Sequence, residues 1–142
     1  MTFTRRDFLK ASAAASVALS APAIHAAKAG KKYRTALIGS GWWGKVITEM
    51  AMANGSVDMI AVCDVDQSMN EEAVALIKEK SNGSPRQYKD YRELLAKEKP
   101  EICSVATPDH WHPLICIAAC AAGAHVDVEK PVGHTILTNS HD

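Results

Sequence analysis

The chain has 142 residues, 47% of them apolar, and its 16 basic and 16 acidic side chains cancel. That is enough to bury one core and too little for two. Residues 1–29 carry Arg5, Arg6, Lys10 and Lys28 against Asp7 alone, which leaves 12 basic and 15 acidic residues and a net charge of −3 for the remainder. A mildly acidic domain gives no electrostatic case for binding nucleic acid.

Thr4-Arg5-Arg6-Asp7-Phe8-Leu9-Lys10 is a twin-arginine signature, followed by an alanine-rich run from Ala11 to Ala23 and the small-residue sites Ala21-Pro22-Ala23 and Ala27-Lys28-Ala29. A spanning helix needs about 20 strongly apolar residues, and this run is shorter and blander. Residues 1–29 therefore read as a removed twin-arginine export signal, with no stable membrane insertion, the twin-arginine machinery as partner, and the periplasm or another exported location as destination.

From Tyr33 to Ile38 the chain is apolar and β-favouring, and it enters the turn Gly39-Ser40-Gly41-Trp42-Trp43-Gly44, a G-x-G-x-x-G pattern. The helix is expected to start near Gly44 and run through Lys45 to Ala53, closed by Asn54-Gly55. A second apolar run, Val57 to Cys63, ends in Asp64, 20 residues beyond the last glycine. Strand, glycines, helix, strand and acid in this register predict a dinucleotide site. Gly39 is expected to make the tight turn, Gly41 to bring a pyrophosphate against bare backbone, and Gly44 to let the helix pack close on the sheet. The helix N-terminus offers free N–H groups and its positive dipole end to the phosphates. Asp64 is placed to accept hydrogen bonds from the adenosine ribose hydroxyls. Its carboxylate repels a 2′-phosphate and Val65-Asp66-Gln67 offer no arginine to one, so NAD is expected over NADP. Of Trp42 and Trp43, one is expected to pack under the helix and the other to border the nicotinamide pocket.

Glu71 to Lys80 reads as a second helix with Ala73, Val74 and Ile77 on one face, and Ser81 to Pro85 as a loop. Arg86 to Tyr88 is expected as a short third strand, Asp90 as an N-cap, and Tyr91 to Lys97 as a short helix stopping before Pro100. Ile102 to Ala106 reads as a buried strand ending at Thr107-Pro108-Asp109. Pro113 to Ala122 reads as a helix stopped by Gly123, and Ala124 to Val128 as a fifth strand running into Glu129-Lys130-Pro131. This alternation predicts an α/β fold with a doubly wound parallel sheet of Rossmann type over residues 30–142. Ligands bind beyond the carboxyl ends of such strands, which singles out the loops Gly39 to Gly44, Thr107 to His112 and Glu129 to Pro131. The twin-arginine route carries folded chains, which suits a protein that must take up its nucleotide in the cytoplasm.

Cys63 and Cys103 fall in strands, and Cys116 and Cys120 lie four apart on a helix, so all four read as small buried hydrophobes rather than disulfides. His110 and His112 flank Trp111, but no carboxylate or cysteine is spaced to complete a metal site, and none is expected.

Ile38-Gly39-Ser40-Gly41, Cys63-Asp64-Val65-Asp66, Tyr88-Lys89-Asp90-Tyr91, Ala106-Thr107-Pro108-Asp109-His110-Trp111-His112 and Gly123-Ala124-His125-Val126-Asp127-Val128-Glu129-Lys130-Pro131 together resemble the Gfo/Idh/MocA oxidoreductase family, over Lys32 to Gly133. The resemblance implies the nucleotide-binding part of an NAD(P)-dependent oxidoreductase acting on a sugar, polyol or related hydroxy compound. In that family the lysine matched by Lys130 lies beside the nicotinamide and orients or protonates the substrate oxygen. The resemblance also sets Glu129, Thr107, Pro108 and Asp109 near the nicotinamide ribose and carboxamide, and gives His112 a structural or cofactor-adjacent place. The chemistry agrees in kind, because hydride transfer between an alcohol and a carbonyl needs a proton donor or acceptor in reach, and a lysine in a partly buried pocket can have its pKa lowered into working range.

Relatives within the family include glycosidases that use bound NAD for transient oxidation, though these tend to replace the E-K-P triplet, and full-length members form homo-oligomers. Members also continue into a final strand and a larger α/β domain that carries the substrate pocket. Here His134 to Asp142 are the only residues after Gly133. The expectation is a sheet incomplete at its C-terminal end with the substrate domain absent, and a non-catalytic remnant stands as a further alternative.

Overall fold

Ala36, Leu37 and Ile38 are each at most 2% exposed, so consecutive residues of one strand are covered on both faces and that strand must be central. The computed structural model, which describes residues 30–133, places it so. The export segment read over 1–29 and the tail His134 to Asp142 lie outside the described residues. β1 (Tyr33–Ile38), β2 (Val57–Cys63), β3 (Arg86–Tyr88), β4 (Ile102–Val105) and β5 (His125–Val128) form one sheet in the order β3-β2-β1-β4-β5. All four neighbouring pairs run parallel, as the alternation of elements predicts.

Between the strands run α1 (Trp42–Ala53), α2 (Gln67–Ser81), α3 (Tyr91–Glu98) and α4 (His112–Ala121), with a 3-10 turn over Asp109–Trp111 leading into α4. One face of the sheet packs Ala36, Ile38, Cys103 and Val105 against Leu94 and Leu95 of α3 and Ile115 and Ala119 of α4. The other packs Leu37, Met59 and Val62 against Ala73, Val74 and Ile77 of α2, the helix face read from the sequence. Full burial of one such aliphatic side chain stabilises by about 1.5–3 kcal/mol.

Helix starts differ from expectation for local reasons. α1 begins at Trp42 rather than near Gly44, because Gly41 is extended (φ −62°, ψ −173°) and serves as N-cap, so Gly44 is already inside the first turn. α2 begins at Gln67 rather than Glu71, because the Asp66 carboxylate accepts from Ser68 N at 2.9 Å and caps the earlier turn. α3 starts as expected, capped by Asp90, which accepts from Arg92 N at 2.8 Å. The chain leaves α4 through Gly123 in the left-handed region, at φ 86°.

β3 is tied to α3 by a buried acid. Glu98 is 1% exposed and accepts from the Arg86 guanidinium at 2.6 Å and from the Tyr88 hydroxyl. Burial and the Glu98 carboxylate push the Tyr88 hydroxyl up to about 12. Cys63 and Cys103 are buried as expected, whereas Cys116 is half-buried and Cys120 exposed, because Cys120 lies on the side of α4 turned from the sheet; all four are free thiols.

Candidate functional site

The order β3-β2-β1-β4-β5 sends the chain one way from β1 and then back across it, so the carboxyl ends of β1 and β4 part and leave a crevice between their loops. A cavity of about 420 Å³ lies there, bordered by Gly39 and Gly41, by Asp64 at the end of β2, and by Thr107 and Pro108 at the end of β4.

The three glycines of the turn have three different surroundings. Gly39 sits at φ +94°, and a Cβ there would stand 2.6 Å from the backbone of Ala106 and Thr107, so the turn and the end of β4 are in contact. A Cβ on Gly44 would stand 2.0 Å from Gly39 O and 3.3 Å from Leu37, which is the close helix-to-sheet approach read from the sequence. A Cβ on Gly41 would meet nothing within 4 Å, since it faces the cavity. The first intrahelical bond is Lys45 N to Gly41 O at 3.1 Å. The earlier amides of α1 carry no side-chain cap, and no acid stands in the first turn to oppose an anion.

Asp64 reaches toward this turn. Its Oδ2 accepts from Ser40 N at 2.8 Å and its Oδ1 from Asp66 N at 3.0 Å. Each carboxylate oxygen keeps acceptor capacity for a further donor. Ser40 itself is fully buried, and its hydroxyl turns away from the cavity to donate to Asn70 Oδ1 at 3.0 Å. Beyond Asp64 the wall is completed by Lys89 from the loop after β3 and by Tyr91 and Arg92 at the start of α3, with the Arg92 guanidinium 4.5 Å above the Tyr91 ring. Cys63 also lines the cavity, but burial pushes its thiol up to about 12, so it is no nucleophile at neutral pH.

On the β4 side, Thr107 Oγ1 is buried with no hydrogen-bond partner among the described residues. His112, 2% exposed, joins two loops: its Nε2 lies 2.9 Å from Thr107 O and its Nδ1 2.8 Å from Pro131 O. Glu129 is held by its amide, which donates to Val105 O at 3.3 Å.

The structure thus brings Gly39, Gly41, Asp64, Thr107 and Pro108 to one cavity. Ser40, Gly44 and His112 stand behind it as supports, and Asp109 accepts from His110 N at the turn beside it. Glu129 and Lys130 lie on the neighbouring loop, outside the cavity lining, and Lys130 is exposed rather than partly buried while Glu129 is half-buried. Neither tryptophan packs under α1: Trp42 is 73% and Trp43 38% exposed, and their rings lie tilted against each other with centroids 5.3 Å apart, because Gly44 leaves too little room between α1 and the sheet for an indole. Sequence reading missed Asn70 and the wall of Lys89, Tyr91 and Arg92. Asn70 could have been found as a polar residue opening the apolar stripe Ala73, Val74, Ile77, whereas Lys89 and Tyr91 stand in a stretch that carries the family resemblance without a site role and nothing marks Arg92.

The model of the Gfo/Idh/MocA family, an oxidoreductase family with an NAD-binding Rossmann fold, matches residues 33–138. The chain belongs to this family. A twin-arginine translocation signal matches residues 2–22, so the chain is addressed to export by that route. A glycosyl hydrolase family 109 protein of Stenotrophomonas maltophilia (strain K279a) is 30% identical over 138 residues, covering 93% of this chain and 30% of that protein. The WlbA dehydrogenase of Bordetella pertussis, solved in complex with NADH and UDP-GlcNAcA, is similar at 27% identity and a TM-score of 0.58, over 72% of this chain and 30% of that one. Myo-inositol 2-dehydrogenase of Lactobacillus plantarum is similar at 26% identity and a TM-score of 0.65, over 76% of this chain and 31% of that one. The chain thus spans about 30% of the length of these relatives. Among the described residues no helix is long and apolar enough to cross a membrane.

Proposed function

We propose that the cavity at the carboxyl edge of the sheet holds NAD(H), and that the protein of which this domain is the nucleotide-binding part transfers hydride at a hydroxyl carbon of a sugar or polyol. The observation that carries the reading is the empty space at Gly41, bordered by the uncapped start of α1 and by the Asp64 carboxylate. The pyrophosphate fits against that backbone, the adenosine ribose diol donates to Asp64, and the adenine lies toward Tyr91 and Arg92. Thr107 Oγ1, buried without a partner among the described residues, would gain one from the bound dinucleotide.

When bound, NAD supplies the hydride acceptor. The residues of this chain bind and orient it, and Lys130 Nζ, on the loop that His112 tethers through Pro131 O, gives or takes the proton of the substrate oxygen. Asp64 favours NAD over NADP, because a 2′-phosphate would meet its carboxylate. Domain bounds of 1–29 for the signal and 30–142 for the nucleotide domain go with this reading.

A second reading has its own support, since family 109 glycosyl hydrolases are among the relatives at 30% identity. Retention of Glu129-Lys130-Pro131 favours the dehydrogenase. Calorimetric titration of the chain with NAD⁺ and NADP⁺ tests the cofactor reading: tighter NAD⁺ binding is expected, and no binding or a preference for NADP⁺ would refute it. On the longer protein, release of nitrophenol from aryl glycosides without net NADH formation would favour the glycosidase.

A further inference from the structure

Asn70, in the first turn of α2, has no solvent exposure. It opens the stripe of Ala73, Val74 and Ile77 that α2 turns to the sheet, where an apolar residue would be expected. A buried amide is costly unless its polar atoms find partners, and here all of them do. Asn70 Oδ1 accepts from Ser40 Oγ at 3.0 Å, and Nδ2 donates to Asp64 O and to Tyr88 O, both at 3.0 Å. The opposite amide orientation would set Oδ1 against two carbonyl oxygens, so this network fixes the assignment.

The three partners belong to the glycine turn, the end of β2 and the end of β3. The Asp64 carboxylate closes the ring by accepting from Ser40 N at 2.8 Å. We propose that Asn70 is the positioning residue of the dinucleotide site, setting the separation between the pyrophosphate-binding turn and the ribose-binding carboxylate. The inference rests on the NAD(H) reading given above. A pyrophosphate and its ribose are joined by covalent bonds of fixed length, so the turn and the carboxylate serve one ligand only if the gap between them is held. Asn70 holds it through Ser40 on one side and the Asp64 backbone on the other, without lining the cavity itself.

The test uses the full chain as wild type, Asn70→Ala, Ser40→Ala and the double variant. Amide hydrogen exchange is measured without cofactor, and NAD⁺ and NADP⁺ affinities by calorimetry. Ser40→Ala removes one hydroxyl while leaving Asn70 bonded to both carbonyls, so it decides the matter alone if Asn70→Ala does not fold. Exchange at the bonded amides of Gly39 and Ser40 is expected to rise about tenfold in both single variants while α2 beyond Ala73 keeps its protection. NAD⁺ binding is expected to weaken about tenfold, with a smaller NAD⁺-to-NADP⁺ preference and no further loss in the double variant. A purely structural asparagine would instead loosen all of α2 and leave the preference unchanged, and that result, or unaltered exchange at the Gly39 and Ser40 amides in Ser40→Ala, would overturn the proposal. If wild type binds neither nucleotide, the NAD(H) reading falls, and exchange in the cofactor-free variants still decides the positioning role.

Discussion

A single β-carbon distinguishes the glycines of the turn. Gly44→Ala places a methyl 2.0 Å from Gly39 O, against backbone that cannot swing aside, so α1 must move off the sheet. We expect a loss of at least about 1–3 kcal/mol, read as a lowered urea midpoint. Gly41→Ala has ordinary φ and ψ and meets nothing within 4 Å, so the midpoint should stay within about 0.5 kcal/mol of wild type. The same Gly41→Ala chain should bind NAD⁺ at least about tenfold more weakly, because the methyl fills the space the pyrophosphate needs. A tight-binding Gly41→Ala chain would remove the phosphate from this turn. Asp64→Ala should lose most discrimination between NAD⁺ and NADP⁺ in the same titration, and an unchanged ratio would move the discrimination elsewhere in the cavity.

Within the elements, three titrating groups sit in or beside strands of the sheet. Burial pushes the thiols of Cys63 and Cys103 from 9.0 up to about 12, and burial with Glu98 pushes Tyr88 from 10.0 up to about 12. In each the folded value lies above the unfolded one, so the stabilisation is fully present below pH 9 and is lost as the pH rises from 9 through 12. The urea midpoint should be level near pH 8 and fall steadily toward pH 11, and a midpoint constant over that range would contradict the burial. The strands themselves are legible in sequence because β1 and β2 end in the buried apolar runs Ala36 to Ile38 and Ala61 to Cys63, and β4 is apolar but for Ser104. Helix starts are less legible: Asp66 caps α2 from outside the periodic stretch, and Gly41 acts as N-cap without any side chain to announce it. The place of Lys89, Tyr91 and Arg92 at the site cannot be read from local pattern, since only the pairing of β3 with β2 brings them to Asp64.

For the molecule as a whole, two addresses are written in one chain: a twin-arginine signal over residues 2–22 and an NAD-binding domain from residue 33. Replacing Arg5 and Arg6 by lysine keeps the charge but not the guanidinium pair, and should strand a reporter fusion in the cytoplasm. Undiminished export of that variant would show that the pair is not what is read. Saturating NAD⁺ should raise the melting temperature of the chain, because a ligand that binds only the folded state stabilises it by mass action. An equal rise with NADP⁺ would argue against the role given to Asp64.

The strand order has a consequence for timing during synthesis. β1 is flanked by β2 and β4, and Thr35 of β1 pairs with Ile102 of β4. The signal ends at residue 22 and β4 begins at Ile102, so roughly 80 residues separate them, about 4–16 s of elongation at about 5–20 residues per second. Throughout that interval the export address is already synthesised while the central strand still lacks β4 as a neighbour. A secretion channel that threads nascent chains would capture the protein before its sheet could close. One that admits only finished folds imposes a delay longer than the interval, so the position of β4 makes the choice of exit part of the folding programme.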